Sequence, residues 1–372
     1  MGWPIPDTQQ YRVSLPRKRT WILLVFSFVI AIFLFIISYF IQENVPELVA
    51  YILPLAFCTW LFAFSSSLYC YYKEVKKSVW DNELKNAHIA WEKWSRKQLV
   101  VSGNVIFSPE EDNAAVMLHD IQDIPAYPHK GRPLFTQSQA LKQRLVEIDE
   151  MLEHQCPGYR CFLHTIYLAG ISLEVVKTDA EDIFEQWHLY PEHLSSLSEI
   201  KSWYGADAHK GVALLLSIQL WPSQPESYSE FISAQLITSP VFAKEKNLPI
   251  LAGLGRVMPS LSDTLSQDLD MLFEYTCVDR ENIKNIWISK LDRKLMADIS
   301  IYACDKNIPL SLERPYHLID HTFGPAGPVS DFIVLALLIG ETQYHQDIQL
   351  LLKGCDDEGV FLCLITRELL DN

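Results

Sequence analysis

The chain has 372 residues, 49% of them hydrophobic and 21% charged, with a formal net charge of −15 at pH 7. This length supports one large packed domain or two smaller ones. The charge is uneven: residues 1–72 hold four basic and three acidic groups, or +1, which leaves −16 for residues 73–372 and excludes nucleic acid as a natural partner.

Residues 21–41 form a run of 21 residues without a charge, and residues 48–72 a second run of 25. A bilayer core of ~30 Å needs ~20 helical residues, so each run is long enough to span one. Only Gln42 to Glu47 separate them, and the pattern predicts a transmembrane hairpin over residues 21–72. Arg12, Arg17, Lys18 and Arg19 precede it, Lys73, Lys76 and Lys77 follow it, and the link carries Glu43 and Glu47 only. Basic flanks stay on the cytoplasmic side, so a multi-pass protein of the bacterial inner membrane is expected, with two spans and both termini cytoplasmic. Trp21, Tyr39, Tyr51, Tyr69, Tyr71 and Tyr72 stand where an interfacial belt needs them. A cleaved signal peptide fits less well, because the first run is too long and a second follows at once. Pro54 is a candidate kink. Neither span holds a charge, which suits a lipid anchor better than a transport path.

Residues 1–20 are then a cytoplasmic tail, 73–100 a juxtamembrane helix and 101–372 a cytoplasmic α/β domain. In the helix, Trp80, Leu84, Ala87, Trp91 and Trp94 form one apolar stripe. It packs on the domain or presents Trp80, Trp91 and Trp94 as a docking face. Residues 102–135, with clusters at 108–113 and 125–131, read as short strands and loops. A helix is predicted over 137–155, with Leu141, Leu145, Ile148 and Leu152 on one face, and Pro157-Gly158 ends it. Then come a strand over 162–169, a helix over 178–188, a buried strand over 211–220 and a short element over 229–236. The glycine-rich stretch 252–256 precedes a helix over 262–275 capped by Ser262 or Asp263. A strand over 286–289, helices over 292–305 and 331–340, and a core strand over 360–365 complete the pattern. Such alternation argues for an α/β domain with a mixed sheet.

Eight cysteines are scattered without a CxxC. Cys156 and Cys161, flanked by His154 and His164, are a weak metal signature, and reduced, mostly buried thiols are the simpler reading. No phosphate-binding loop, dinucleotide fingerprint, G-x-S-x-G elbow or H-E-x-x-H occurs. No cofactor and no metal are expected.

The segment His321-Thr322-Phe323-Gly324-Pro325-Ala326-Gly327-Pro328-Val329 is the strongest local signal, with His321, Gly324 and Gly327 as the candidate turn or binding residues. It resembles the histidine–glycine turn, roughly G-H-T-x-G-A-A-G, of ketosynthases in the thiolase superfamily. Residues 211–216 resemble that family's small-then-apolar central strand, and 283–298 its strand-then-helix near a second histidine. The resemblance covers roughly 141–370 and implies a degenerate thiolase-like fold. It does not carry the reaction over. The family needs a cysteine nucleophile and two basic groups, whereas Lys290-Leu291-Asp292 stand where the second histidine would, and no Cys-Ser-Ser turn occurs in the first half. The resemblance thus implies a fold kept without its reaction, with His321 hydrogen-bonding the turn.

A membrane hairpin plus such a domain is similar to a family of type VI secretion accessory proteins. That likeness implies a non-catalytic, inner-membrane-anchored adaptor that binds a protein partner, a secreted effector or a spike component, at the cytoplasmic face. Two alternatives stay open: an acyl-thioester-handling enzyme in which His321 meets Cys161 or Cys277, and a membrane-bound immunity or sensor protein.

Overall fold

The computed structural model describes residues 2–5, 46–110, 129–135, 140–169, 176–205, 211–221, 225–312, 314–344, 348–355 and 359–370, with helical residues 25, 26, 28–30, 32, 33, 36, 37, 39 and 40. Arg12, Arg17, Lys18, Arg19, Trp21 and residues 42–45 lie outside the described residues. The chain divides into two compact units. One is Met1–Ile5 with Glu92–Asn372, and the other is Pro6–Trp91.

The described residues of the smaller unit are helical. Its main element is α1 (Pro46–Arg96), 51 residues that pass through Pro54 without ending. The second apolar run and the expected juxtamembrane helix are therefore one helix. It stops at Arg96, and a strand begins three residues later, within the span assigned to helix. Over the described residues, no helix is long and apolar enough to cross a membrane. The transmembrane hairpin expected over 21–72 is thus not a feature of the described fold. What stands in its place is a helix whose uncharged run continues into charged residues from Lys73 onward.

The larger unit is built on one sheet. Its strands are β1 (Leu99–Phe107), β2 (Leu163–Ala169), β3 (Glu192–Leu194), β4 (Val212–Gln219), β5 (Phe231–Thr238), β6 (Ala252–Leu254), β7 (Met258–Leu261), β8 (Ile286–Ser289), β9 (Tyr316–Leu318), β10 (Gln349–Gly354) and β11 (Gly359–Thr366). Their order is β3-β2-β4-β5-β1-β6-β11-β10-β8-β9, with β7 paired to β11. β2 runs parallel to β3 and β4, and β8 runs parallel to β9 and β10. The pairs β4–β5, β5–β1, β10–β11 and β11–β6 are antiparallel. Each half therefore repeats one pattern, a parallel trio followed by two antiparallel strands, and the antiparallel pair β1–β6 joins the halves.

The helices obey the same repeat. α2 (Leu141–Gln155) precedes β2, and α3 (Val176–Trp187) connects β2 to β3. α5 (Leu265–Thr276) precedes β8, and α6 (Arg293–Asp305) connects β8 to β9. A short α4 (Pro240–Lys246), capped by Ser239, follows β5. The third connection of each half lies on the opposite face: a 3-10 stretch, Leu197–Tyr204, in the first, and α7 (Ile319–Phe323) with α8 (Ser330–Glu341) in the second.

Side chains alternate between sheet faces along each strand. Val100 and Val105 pack with α2 and α3, while Leu99 and Val101 pack with α8. Leu350 and Leu352 meet α5 and α6, while Leu351 turns to the α8 side. Every residue of α8 except Asp331 is buried. The polar groups of the sheet serve it: Asn104 Nδ2 in β1 donates to the Ala336 carbonyl at 2.9 Å.

Two predictions follow from α8. Leu338 is fully buried at its centre, so Leu338→Ala is expected to cost about 2–5 kcal/mol, read as a lower urea midpoint. Glu341 ends the same helix, and burial pushes its carboxyl up to about 7 from 4.5. A carboxyl raised in the folded state binds more protons there than in the unfolded state between pH 4.5 and 7, so stability falls as pH rises through that window. Glu341→Gln is expected to flatten this slope, removing a loss of roughly 3 kcal/mol between pH 4.5 and pH 8. An unchanged slope contradicts it.

Candidate functional site

The histidine–glycine segment connects β9 to α8. His321 lies in α7, a single turn that starts directly after β9. The chain then has to reverse into a helix that is buried but for Asp331. Gly324 makes this possible, with φ +84° and ψ 177°, a conformation open essentially to glycine alone. A Cβ there would also lie 2.6 Å from the Lys130 carbonyl oxygen. At Gly327 a Cβ would strike the Gln219 side chain. Both glycines are therefore needed for close approach.

Three polar side chains from elsewhere hold the turn. Gln219 at the end of β4 accepts from the Val329 amide at 3.2 Å and donates to the Ser229 carbonyl at 2.7 Å. Ser229 Oγ donates to the Phe323 carbonyl and accepts from the Arg132 amide at 3.0 Å. Arg132 donates to the Thr322 carbonyl at 3.3 Å and pairs with Glu110. Beneath this closure lies a cavity of about 20 Å³, lined mainly by Phe231, Ile319, Phe323, Ile333, Val334 and Leu337. It has room for about one water.

His321 itself is exposed, and among the described residues it has no hydrogen-bond partner. The expectation that it bonds the turn gives way to Gln219, Ser229 and Arg132. Its neighbour Asp320 has the structural role. Its carboxylate accepts from Ser289 Oγ at 2.9 Å and from the Lys290 amide, tying α7 to the end of β8. Lys290 stands at φ +53°.

One group escaped the sequence reading. Lys353 near the end of β10 is 1% exposed and lies 3.3 Å from Asp331 in the first turn of α8. In the parallel ladder it pairs with Ser289. Ser289, Lys290, Asp320, Asp331 and Lys353 thus gather at the carboxyl ends of β8, β9 and β10. In open α/β sheets this is where ligands bind. The only trace of Lys353 in the sequence is one lysine closing the apolar run Leu350-Leu351-Leu352.

The cysteines do not join the site. Cys161 is exposed in a 3-10 turn beyond α2, and Cys277 is exposed just past α5. Neither lines the cavity under the turn. Burial raises the Cys277 thiol and, more strongly, pushes Cys363 up to about 12, the reverse of what an activated thiolate needs. Cys156 is buried while Cys161 is exposed, and among the described residues no three His, Cys, Asp or Glu side chains form a metal cluster. The turn after β3 holds Ser195 and Ser196, and Ser195 Oγ donates to Glu199. The tryptophan stripe divides: Trp80 is exposed, whereas Trp94 packs edge-on to Trp3 with centroids 5.6 Å apart and belongs to the domain.

No protein-family profile and no curated protein matches the sequence. Solved structures do. The oxazolomycin ketosynthase domain from Streptomyces albus is similar with a TM-score of 0.53 at 9% identity, over 73% of this chain and 96% of that one. Ketosynthase twelve of the bacillaene polyketide synthase from Bacillus amyloliquefaciens gives 0.51 at 9% identity, over 74% of each chain. The ketosynthase from module 1 of the bacillaene synthase of the same species gives 0.50 at 10% identity, over 73% and 76%. The domain has a mixed-sheet, thiolase-like fold. The expected reading as a type VI secretion adaptor is overturned, because these similarities lead to ketosynthases and none leads to a secretion protein.

The turn predicts a contrast between neighbours. Gly324→Ala is expected to cost about 1–3 kcal/mol, from its backbone conformation and the Lys130 carbonyl. His321→Ala, at an exposed position, is expected to change stability by less than about 0.5 kcal/mol. Thermal unfolding of the two variants checks both.

Proposed function

We propose that the domain handles an acyl thioester at the carboxyl ends of β8, β9 and β10, beside the histidine–glycine turn, without a cysteine nucleophile. The observation that supports this reading most is the placement of the turn. It stands at the end of a parallel trio in a thiolase-like fold, with Ser289, Lys290, Asp320 and His321 on adjoining elements. His321 is the group available for proton transfer, and Lys290 supplies positive charge for a carbonyl or phosphate oxygen. Short acyl groups are the proposed substrate class, because the space beneath the turn, at about 20 Å³, is too small to take an acyl chain. Location at the bacterial inner membrane with both ends cytoplasmic is likewise a proposal, supported by the two uncharged runs and their basic flanks. So is a protein partner at Trp80 and Trp91.

The test is to mix the full chain with acetyl and longer acyl pantetheine thioesters and follow binding by calorimetry and thioester loss by thiol release. Binding or turnover of the short thioesters is expected, weakened at least tenfold in His321→Ala and in Lys290→Ala. Intact mass is expected to show no acyl group on Cys161 or Cys277. Absence of both binding and turnover overturns the reading, and a stable acyl-cysteine overturns its cysteine-free form.

A further inference from the structure

Residues 2–5 are not a loose end. Trp3 is 4% exposed and belongs to the core that holds Leu265, Leu269, Phe273 and Met258, with Ile5 packed beside it. Gly2 stands at φ +38°, and a Cβ there would collide with the Asp268 carboxylate. The Ile5 amide closes a tight turn onto the Trp3 carbonyl at 2.7 Å.

The end of α1 arrives at the same place. Trp94 receives the edge of Trp3 on one side and the Arg256 guanidinium, 4.2 Å from its ring, on another. Arg256 also covers Tyr204 at 4.6 Å and donates to the Trp94 carbonyl at 2.7 Å. Ser95 Oγ donates to the Tyr275 carbonyl at 2.6 Å, and Arg96 donates to the Leu370 carbonyl. Residues 5 and 92 are also where the chain leaves the domain unit and rejoins it.

We infer that Trp3 is an intramolecular ligand of the domain, seated in a socket completed by Trp94, so that residues 6–91 form an excursion whose two ends are pinned at one joint. The constraint is topological and independent of the thioester reading. Whatever surface the excursion enters, it enters and leaves from the domain's side. A bilayer is crossed by it an even number of times or not at all, and never once. Mutual packing also makes Trp3 and Trp94 one energetic unit, because each ring supplies contact area to the other.

Two measurements on the full chain test this. The first is a double-mutant cycle read as melting temperature. Trp3→Ala and Trp94→Ala are each expected to lower it by several degrees, and the double variant by clearly less than the sum. Trp3→Phe is expected to restore most of the loss, since it keeps a ring and removes an indole N–H that has no partner in the socket. An unchanged melting temperature in Trp3→Ala, or strict additivity, overturns the joint. The second is protease protection of epitopes placed through flexible linkers at the two ends of the chain, in intact and in opened or inverted membrane preparations. Both epitopes on one side is the expected result. Epitopes on opposite sides overturns the pinned excursion.

Discussion

Helix α8 is buried on every side beyond Asp331 in its first turn, and the rest of the larger unit is arranged around that fact. All of residues 330–341 but Asp331 are buried, and an isolated helix of this composition has no stable state in water. It exists because β1 and β5 lie beneath it and the 197–204 stretch packs beside it in one core. Its polar groups then have to be met inside the protein, since an unpaired buried group costs about 1–3 kcal/mol. Gln219 meets the Val329 amide, Asn104 the Ala336 carbonyl, and Lys353 the Asp331 carboxylate.

The shape of the candidate site is a consequence. A chain that must dive under a sheet face directly after an edge strand needs a reversal with no room for side chains, and Gly324 and Gly327 provide it. The same bonds that seat the turn close the space beneath it. The polar side chains left at the carboxyl ends of β8, β9 and β10 are therefore at the rim of a filled core and not at the mouth of a deep pocket.

Much of the fold was legible from periodicity. The strand over 286–289 is found with those bounds, and the helices over 137–155 and 292–305 lie within a few residues of α2 and α6. Asp292 caps α6 by accepting from the Leu295 amide at 2.7 Å, whereas α5 starts at Leu265 without the side-chain cap expected from Ser262 or Asp263. Helices α2 and α6 present one face to a core, and a one-sided pattern survives in the sequence, while the strand is a short apolar run buried on both faces. β1 and β10 were missed for the opposite reason. β1 is central and bonded on both edges, so Leu99-Val100-Val101 carries no alternation, and the charged helix before it extends the wrong periodicity into it. The run 349–354 is buried on both faces and apolar apart from Gln349 and Lys353, and a buried lysine reads as a surface residue until its partner is known.

The sequence by itself determined the elements whose signal is local: the amphipathic helices, the glycine turn that only glycine can make, the absence of a cysteine on a strand-to-helix turn, and the acidic balance of residues 73–372. Tertiary structure decided what depends on distant segments. It made one sheet from two repeats through β1 and β6, set Lys353 against Asp331, and closed the turn with Gln219, Ser229 and Arg132 in place of His321. It also returned Trp3 to Trp94 across ninety residues of chain. Those contacts join positions far apart in sequence, and no local pattern encodes which buried polar group will meet which.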